Sequence, residues 1–302
     1  MSVVETSSVS PWLWPYGGDS ASFCFHIDRE GDVSRLLNHQ RDRSVHALPR
    51  FQHSTDNLGA LEYERFVQSG EIPTRDLSHD WYNGQVWLAF PQVKQLINSR
   101  HIEDANCFEN IAVDLSANGR SRLRDALTLF DESGALFLTT EFSLCNALVN
   151  HDWKTLLLDQ REKWHARAKV LLLGHGLLDS MHKAHKGLCA KVIPVQVPSL
   201  DLSSAELQRL VLLVVEQLRG PGNLSPLPVM GVPGWFQDSD VPGFYEDPTV
   251  YRAKPTRQVS SSHERLAFVW DGSTLALGKC VGQSLPEFQG EESPDSSEHG
   301  AG

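Results

Sequence analysis

The chain has 302 residues, of which 40% are hydrophobic and 22% charged, the balance of a globular protein with enough apolar surface for a sizeable core. Acidic residues outnumber basic ones 38 to 27, and the formal net charge of -11 argues against the broad basic surface that sequence-independent nucleic-acid binding needs. The longest apolar runs, Leu210–Val215 and Val170–Leu173, fall far short of the ~20 residues that span a bilayer, so no membrane segment is expected. Met1–Ser10 does not read as a secretory signal. Cys24, Cys107, Cys145, Cys189 and Cys280 are dispersed, with no CxxC pair. That pattern fits neither a disulfide framework nor a zinc–thiolate site, and it places the protein in the cytoplasm.

Residues 1–21 mix Ser, Pro, Gly and Trp and read as a loose lead-in. Leu58–Gln68 reads as a short helix, capped by Asn57 and closed by Gly70. Ile72–Leu77 reads as a proline-containing turn. His79–Arg100 has helical periodicity, and Pro91 either breaks it or starts a second helix at its first position. Leu127–Phe130 and Ala135–Thr140 are two β-prone runs around Asp131-Glu132-Ser133-Gly134, which predicts a β-hairpin. Glu141–Val149 and Trp153–Trp164 read as helices and Lys169–Leu173 as a buried strand. Gly174-His175-Gly176 then opens a helix over Leu177–Lys183. Cys189–Val197 reads as a strand. Ser203–Leu218 is the clearest helix, with a serine cap, Glu206 in the first turn and Gly220-Pro221 as its stop. Proline-rich Pro221–Pro255 reads as a long ordered loop.

These elements predict an α+β fold: a small, mostly antiparallel sheet with a β-hairpin, packed against several helices and followed by the long proline-rich C-terminal loop. A single domain is expected over residues 22–255, with a C-terminal extension over 256–302. From about residue 286 the extension is Ser-, Glu- and Gly-rich, acidic and expected to be disordered. Glu287, Glu291, Glu292, Asp295 and Glu298 lie there with no Lys or Arg after Pro286, so this stretch carries five of the net negative charges.

Four ordered blocks carry a family resemblance. The first is Pro73-Thr74-Arg75 leading into His79-Asp80-Trp81-Tyr82-Asn83-Gly84-Gln85-Val86-Trp87-Leu88-Ala89-Phe90-Pro91. The second runs from Arg124 to Ala135, and the third is Gly174-His175-Gly176-Leu177-Leu178. The fourth is Gly231-Val232-Pro233-Gly234-Trp235 with Phe244-Tyr245-Glu246-Asp247 and Arg252. Over about residues 58–252 the chain resembles the bacterial domain-of-unknown-function family 3025. The resemblance implies a soluble bacterial domain and brings no established activity, so the chemistry has to come from the residues.

Three constellations stand out. His79, Asn83, Trp87, Phe90, Lys94, Asn98 and His101 recur at about 3.67 residues per step, close to the helical period, and would share one face of a continuous helix. Tyr82, Val86, Ala89, Val93 and Leu96 form an apolar stripe beside them. The polar stripe is either one wall of a binding groove for an anionic or polar small molecule, or the solvated face of an amphipathic helix. The second constellation is the predicted turn. There Asp131, with Asp125 six residues earlier, is a candidate metal ligand or base, while Glu132 and Ser133 read as turn residues. The third is His175 between two glycines at a strand-to-helix junction, a place for a general base or a metal ligand.

The leading expectation is a hydrolase-type enzyme. His175, His79 and Asp131 are its catalytic candidates, and Asn83, Trp87, Lys94, Asn98, His101 and Asp125 line its pocket. A divalent metal would be drawn from His79, Asp80, His101, Asp131 and His175. The competing class is a non-catalytic small-molecule-binding or protein-interaction domain, in which the same residues close loops and hold helices. A remoter alternative rests on a faint likeness of Val86–Ile111 to an HNH nuclease, which would need a β-hairpin there. The discriminating observation is whether His79, His175 and Asp131 converge on a concave pocket.

Overall fold

The computed structural model describes residues 10–16, 30–44, 47–108, 120–241, 243–255 and 265–278. The fold is α+β, with a mixed six-stranded sheet among the described residues and a separate two-stranded one. The small sheet pairs β1 (Arg50–His53) in parallel with β2 (Glu71–Thr74), and α2 (Ala60–Gln68) makes the crossover between them. Helix α1 (Asp32–Arg41) precedes this unit. Two long helices follow, α3 (Ser78–Ala89) and α4 (Pro91–Phe108). Pro91 occupies the first position of α4, where its missing N–H leaves no hydrogen bond unmade.

The main sheet is built on β3 (Gly134–Thr139), β4 (Ala168–Leu172) and β5 (Cys189–Gln196). β3 runs antiparallel to β4 and parallel to β5. β6 (Ser225–Pro228) pairs antiparallel with the first half of β5, and β7 (Phe268–Trp270) pairs in parallel with its last two residues. β8 (Leu275–Leu277) turns back antiparallel onto β7. The sheet is therefore mixed, not mostly antiparallel. β3 is buried along its whole length, so its sequence is continuously apolar and does not alternate.

The two faces of the sheet carry two cores. Ala135 and Phe137 of β3, Val170 and Leu172 of β4, and Val192 of β5 face one of them, and Leu136, Leu138, Leu171 and Ile193 face the other. The first core takes Trp81, Tyr82, Val86 and Trp87 of α3, together with α6 (Phe142–Val149), α7 (Arg161–Arg167) and α8 (His175–Ser180). The second takes α4, α5 (Arg122–Ser133) and α9 (Ser204–Glu216). Helix α9 begins as its sequence predicts: Ser203 Oγ accepts from the Glu206 N–H, and Glu206 accepts from the Ser203 N–H.

The hairpin expected around residues 131–134 is not formed. Ser121 Oγ accepts the Arg124 N–H and caps a helix that runs to Ser133. Ala126, Leu127 and Phe130 are buried at helical spacing, so the Leu127–Phe130 run is the inner face of α5 and not a strand. Only Ala135–Thr139 of the two runs is β, and it pairs with β4 and β5. Gly134 makes this abrupt helix-to-strand change possible, because a Cβ there would overlap the Phe130 carbonyl. The HNH-like alternative also loses its hairpin, since residues 86–108 form α3 and α4.

Within the first 21 residues, Pro11–Tyr16 makes a 3-10 turn. Trp14 Nε1 donates to the Val170 carbonyl at 2.9 Å and the Tyr16 hydroxyl to the Leu172 carbonyl at 2.8 Å, against the backbone of β4. The proline-rich segment contains β6 and several 3-10 turns, with Phe244, Tyr245 and Tyr251 in mutual ring contact. Residues 286–302, expected to be disordered, lie outside the described residues. No helix among the described residues is long and apolar enough to cross a membrane.

Candidate metal centre

The site lies where β3 begins and β4 ends, a single end of the sheet because the two strands are antiparallel. The Leu173 and Gly174 N–H groups both donate to the Gly134 carbonyl, at 3.0 and 2.8 Å, and so bind the start of α8 to the end of α5. This seam puts His175, the first residue of α8, against Asp131 and Glu132 in the last turn of α5. Gly174 is needed for the approach, since a Cβ there would overlap the backbone of Ser133 and Gly134. A Cβ at Gly176 would meet the Glu132 carboxylate instead.

His79, in the first turn of α3, closes the group from the opposite side. Its Nε2 lies 3.1 Å from Nε2 of His175, and the two rings meet edge to face with centroids 4.5 Å apart. Glu132 Oε1 is 3.9 Å from His79 Nε2 and 3.6 Å from His175 Nε2. A circle through these three atoms has a radius of about 2.1 Å, which is the bond length zinc makes to imidazole nitrogen and carboxylate oxygen. The three side chains form a candidate metal-ligand group, and all of them line one cavity of about 240 Å³.

The surroundings of His175 suit a ligand. It is 4% exposed, and burial pushes its pKa down to about 3, so the ring is neutral at pH 7 with a nitrogen lone pair available. Its other nitrogen, Nδ1, is buried and stands 3.7 Å from Asp131 Oδ2. A carboxylate behind a ligating imidazole fixes the ring's orientation and raises its basicity. Asp131 is in turn gripped by Lys94, whose Nζ lies 2.5 Å from Oδ1 and whose side chain is 4% exposed. Burial alone would raise the Asp131 pKa, but Lys94 together with His175 and His101 outweighs that effect and holds the carboxyl below its ordinary range. Burial raises Glu132, and the neighbouring Asp131 charge adds to this.

The corner between α3 and α4 brings the polar stripe to the cavity. A straight helix would hold His79 and His101 roughly 33 Å apart. The chain turns at Phe90–Pro91 instead, and His79, Asn83 and His101 line the same space. Asn83, Trp87, Phe90, Lys94, Asn98 and His101 are all buried, so the stripe is not a solvated face. Asn83 Nδ2 donates to the Tyr63 hydroxyl at 2.8 Å. Asn98 Nδ2 donates to both the backbone carbonyl and the carboxylate of Glu64, at 2.8 and 2.6 Å. Trp87 lies under the Lys94 ammonium, 5.7 Å from ring centroid to Nζ. Burial pushes His101 down to about 4.

Five expected residues stand apart, and of these Trp87, Lys94 and Asn98 are buried but do not line the cavity. Asp80 lines the cavity, but both its oxygens accept from the backbone and guanidinium of Arg75. Asp125 is not among the lining residues. On α5 the face that reaches the cavity is Arg124, Thr128, Asp131 and Glu132, and Asp125 falls off that line.

The sequence reading passed over Glu132, Glu64 and Arg124. Reading residues 122–133 as a helix from the Ser121 cap would have placed Arg124 and Glu132 on one face with Asp131. Nothing in the local sequence marks Glu64, whose pKa rises to about 7 through burial and the nearby Asp131 charge, against the opposing Asn98 hydrogen bond.

The molecule is thus an α+β protein with a histidine–carboxylate cluster facing a polar cavity at one end of a mixed sheet. It belongs to the DUF3025 family, described as proteins of unknown function, whose model matches residues 50–255. That span holds every residue of the cluster. No curated protein and no solved structure matches the chain.

Proposed function

We propose that the protein is a metal-dependent hydrolase whose dication is held by His79, Glu132 and His175. The observation that carries this reading is the triangle of Nε2, Nε2 and Oε1 atoms, sized for a zinc-like ion and open to a cavity. Two histidines and one glutamate are a ligand set of catalytic zinc sites, which keep a further position for water or substrate. A dication there supplies Lewis-acid polarisation of a carbonyl or phosphoryl oxygen and acidifies water.

The chain's own groups do the rest. Asp131 stands behind His175, 3.7 Å from Nδ1, and is kept ionised by Lys94. Glu64, on the cavity wall with a carboxyl pKa near 7, is suited to accept a proton from water and return it to a leaving group. Asn98 holds that carboxylate in one position.

The test is metal analysis of untagged protein beside Glu132→Gln and His79→Ala. One equivalent of zinc, manganese or a similar dication is expected in the wild type, with loss in both variants while the circular-dichroism spectrum is unchanged. A wild-type protein that takes up no dication at micromolar concentrations overturns the reading and leaves a non-catalytic binding domain in its place.

A further inference from the structure

The cavity wall that runs along α5 away from the metal ligands carries Arg124. Its Nε is buried, and among the described residues nothing accepts a hydrogen bond from it. Two other cations near the cavity, Arg75 and Lys94, are engaged. Arg75 donates through Nε and Nη2 to Asp80, at 3.1 and 2.9 Å, and Lys94 is paired with Asp131. An arginine drawn partly out of water with no carboxylate bound to it is a costly arrangement unless an anion completes it. Glu64 and His101 line the same cavity, and the charge of Arg124 reaches both, lowering the pKa of each.

Position on the helix sets the spacing. Arg124 and Glu132 are eight residues apart on the same face, roughly 12 Å along the axis. Thr128, midway between them, also lines the cavity. The space of about 240 Å³ suits a small molecule or the end of a chain, not a folded partner.

We infer that the cavity takes an anionic small-molecule substrate, and that Arg124 holds its carboxylate or phosphate about two helical turns from the bond cleaved at His79, Glu132 and His175. The anion subsite stands on Arg124 and the cavity alone. Its role as part of a substrate site rests on the hydrolase reading. With a charge-assisted contact, Arg124 would discriminate anionic ligands from neutral ones of the same shape.

The experiment uses metal-free protein, so that no ion at the triad competes for the probe. Inorganic phosphate and succinate are titrated separately and followed by NMR shift perturbation, in the wild type, Arg124→Gln, Arg124→Lys and the exposed control Arg35→Gln. Saturable binding of at least one probe is expected. It should weaken at least about tenfold in Arg124→Gln, less in Arg124→Lys, which keeps the charge and loses the fork, and not at all in the control. The probe bound more tightly identifies the anion as phosphate or carboxylate. No saturation by either probe, or equal binding in Arg124→Gln, overturns the inference. Zinc uptake is measured on the same samples. If anion binding depends on Arg124 while zinc does not bind, the hydrolase reading falls and the anion site remains.

Discussion

Three histidines among the described residues have strongly depressed pKa values; His101 and His175 line the cavity, and His151 does not. His151, just past the end of α6, is pushed down to about 4 by burial, with the Arg265 charge adding to it. Its Nδ1 contacts the Arg252 carbonyl at 3.1 Å, its Nε2 is taken by Arg265, and its ring stacks on Trp153 at 4.8 Å. Both ring nitrogens serve to pin the C-terminal segment to α6, and Trp153 Nε1 joins them on the same carbonyl. His175 is buried at least as deeply, yet its Nε2 meets only His79 and Glu132 at the wall of an open space. A depressed pKa therefore marks burial. What marks a site is a ligand atom that the protein has positioned and left facing a cavity.

The sharpest way to break this comparison is to exchange the roles by mutation. His175→Ala is expected to lower zinc affinity at least about 100-fold, whereas His151→Ala keeps full zinc stoichiometry and loses thermal stability. Zinc retained in His175→Ala, measured by atomic absorption after dialysis, would leave the two histidines equivalent.

The next largest effect concerns what stands behind each ring. Asp131→Asn leaves the buried Lys94 ammonium without its counter-charge and should cost roughly 3–5 kcal/mol in urea unfolding. The double variant Asp131→Asn with Lys94→Met should recover much of that loss, because neither charge is then left unpaired.

The two glycines around His175 separate fold from site. Gly174→Ala drives a methyl into the Ser133–Gly134 backbone, which cannot yield, and a loss of roughly 2–4 kcal/mol or failure to fold is expected. Gly176→Ala overlaps the far end of the Glu132 side chain, which can move, and comes within 3.1 Å of the Glu132 carbonyl oxygen. It should fold within about 1 kcal/mol of the wild type and bind zinc more weakly. Equal outcomes for the two would show that the seam is looser than its geometry.

The smallest effect is a pH dependence. Glu64 has a folded pKa of about 7, above its ordinary value of 4.5, so the native state holds a proton that the unfolded chain has released between those values. Its contribution to stability is complete below about pH 4.5 and is lost as pH rises through 7. Glu64→Gln should match the wild type in melting temperature at pH 5 and exceed it at pH 8, by roughly 1–3 kcal/mol in free energy. Calorimetry at the two pH values reads the difference directly.

Local patterns in the sequence carried much of the fold and part of the site. The Ser203 cap and Glu206 mark α9, Pro91 marks the start of α4, and the apolar run before Gly174 marks β4. Each signal acts within a few residues. The α5–β3 boundary is not legible locally, because Leu127–Phe130 is equally apolar as a strand or as the inner face of a helix. Period arbitrates between them only when the Ser121 cap is included. His79, His175 and Asp131 were legible as chemistry-bearing residues, and they do converge. Glu132 was not, because an acidic residue before Ser-Gly has the composition of a turn. Its partner His79 lies 53 residues away, and only the tertiary fold brings them together.

The corner at Phe90–Pro91 constrains how this chain can change over generations. His79 and His101 reach one cavity from the far ends of two rigid arms. Removing or adding a single residue in either arm would rotate everything beyond it by about 100°. Asn83 or Asn98 would then swing into the apolar core and leave Tyr63 or Glu64 without a partner. Substitutions at the exposed positions of α4 can accumulate freely, but the 22-residue interval between the two histidines should admit neither insertion nor deletion across the family.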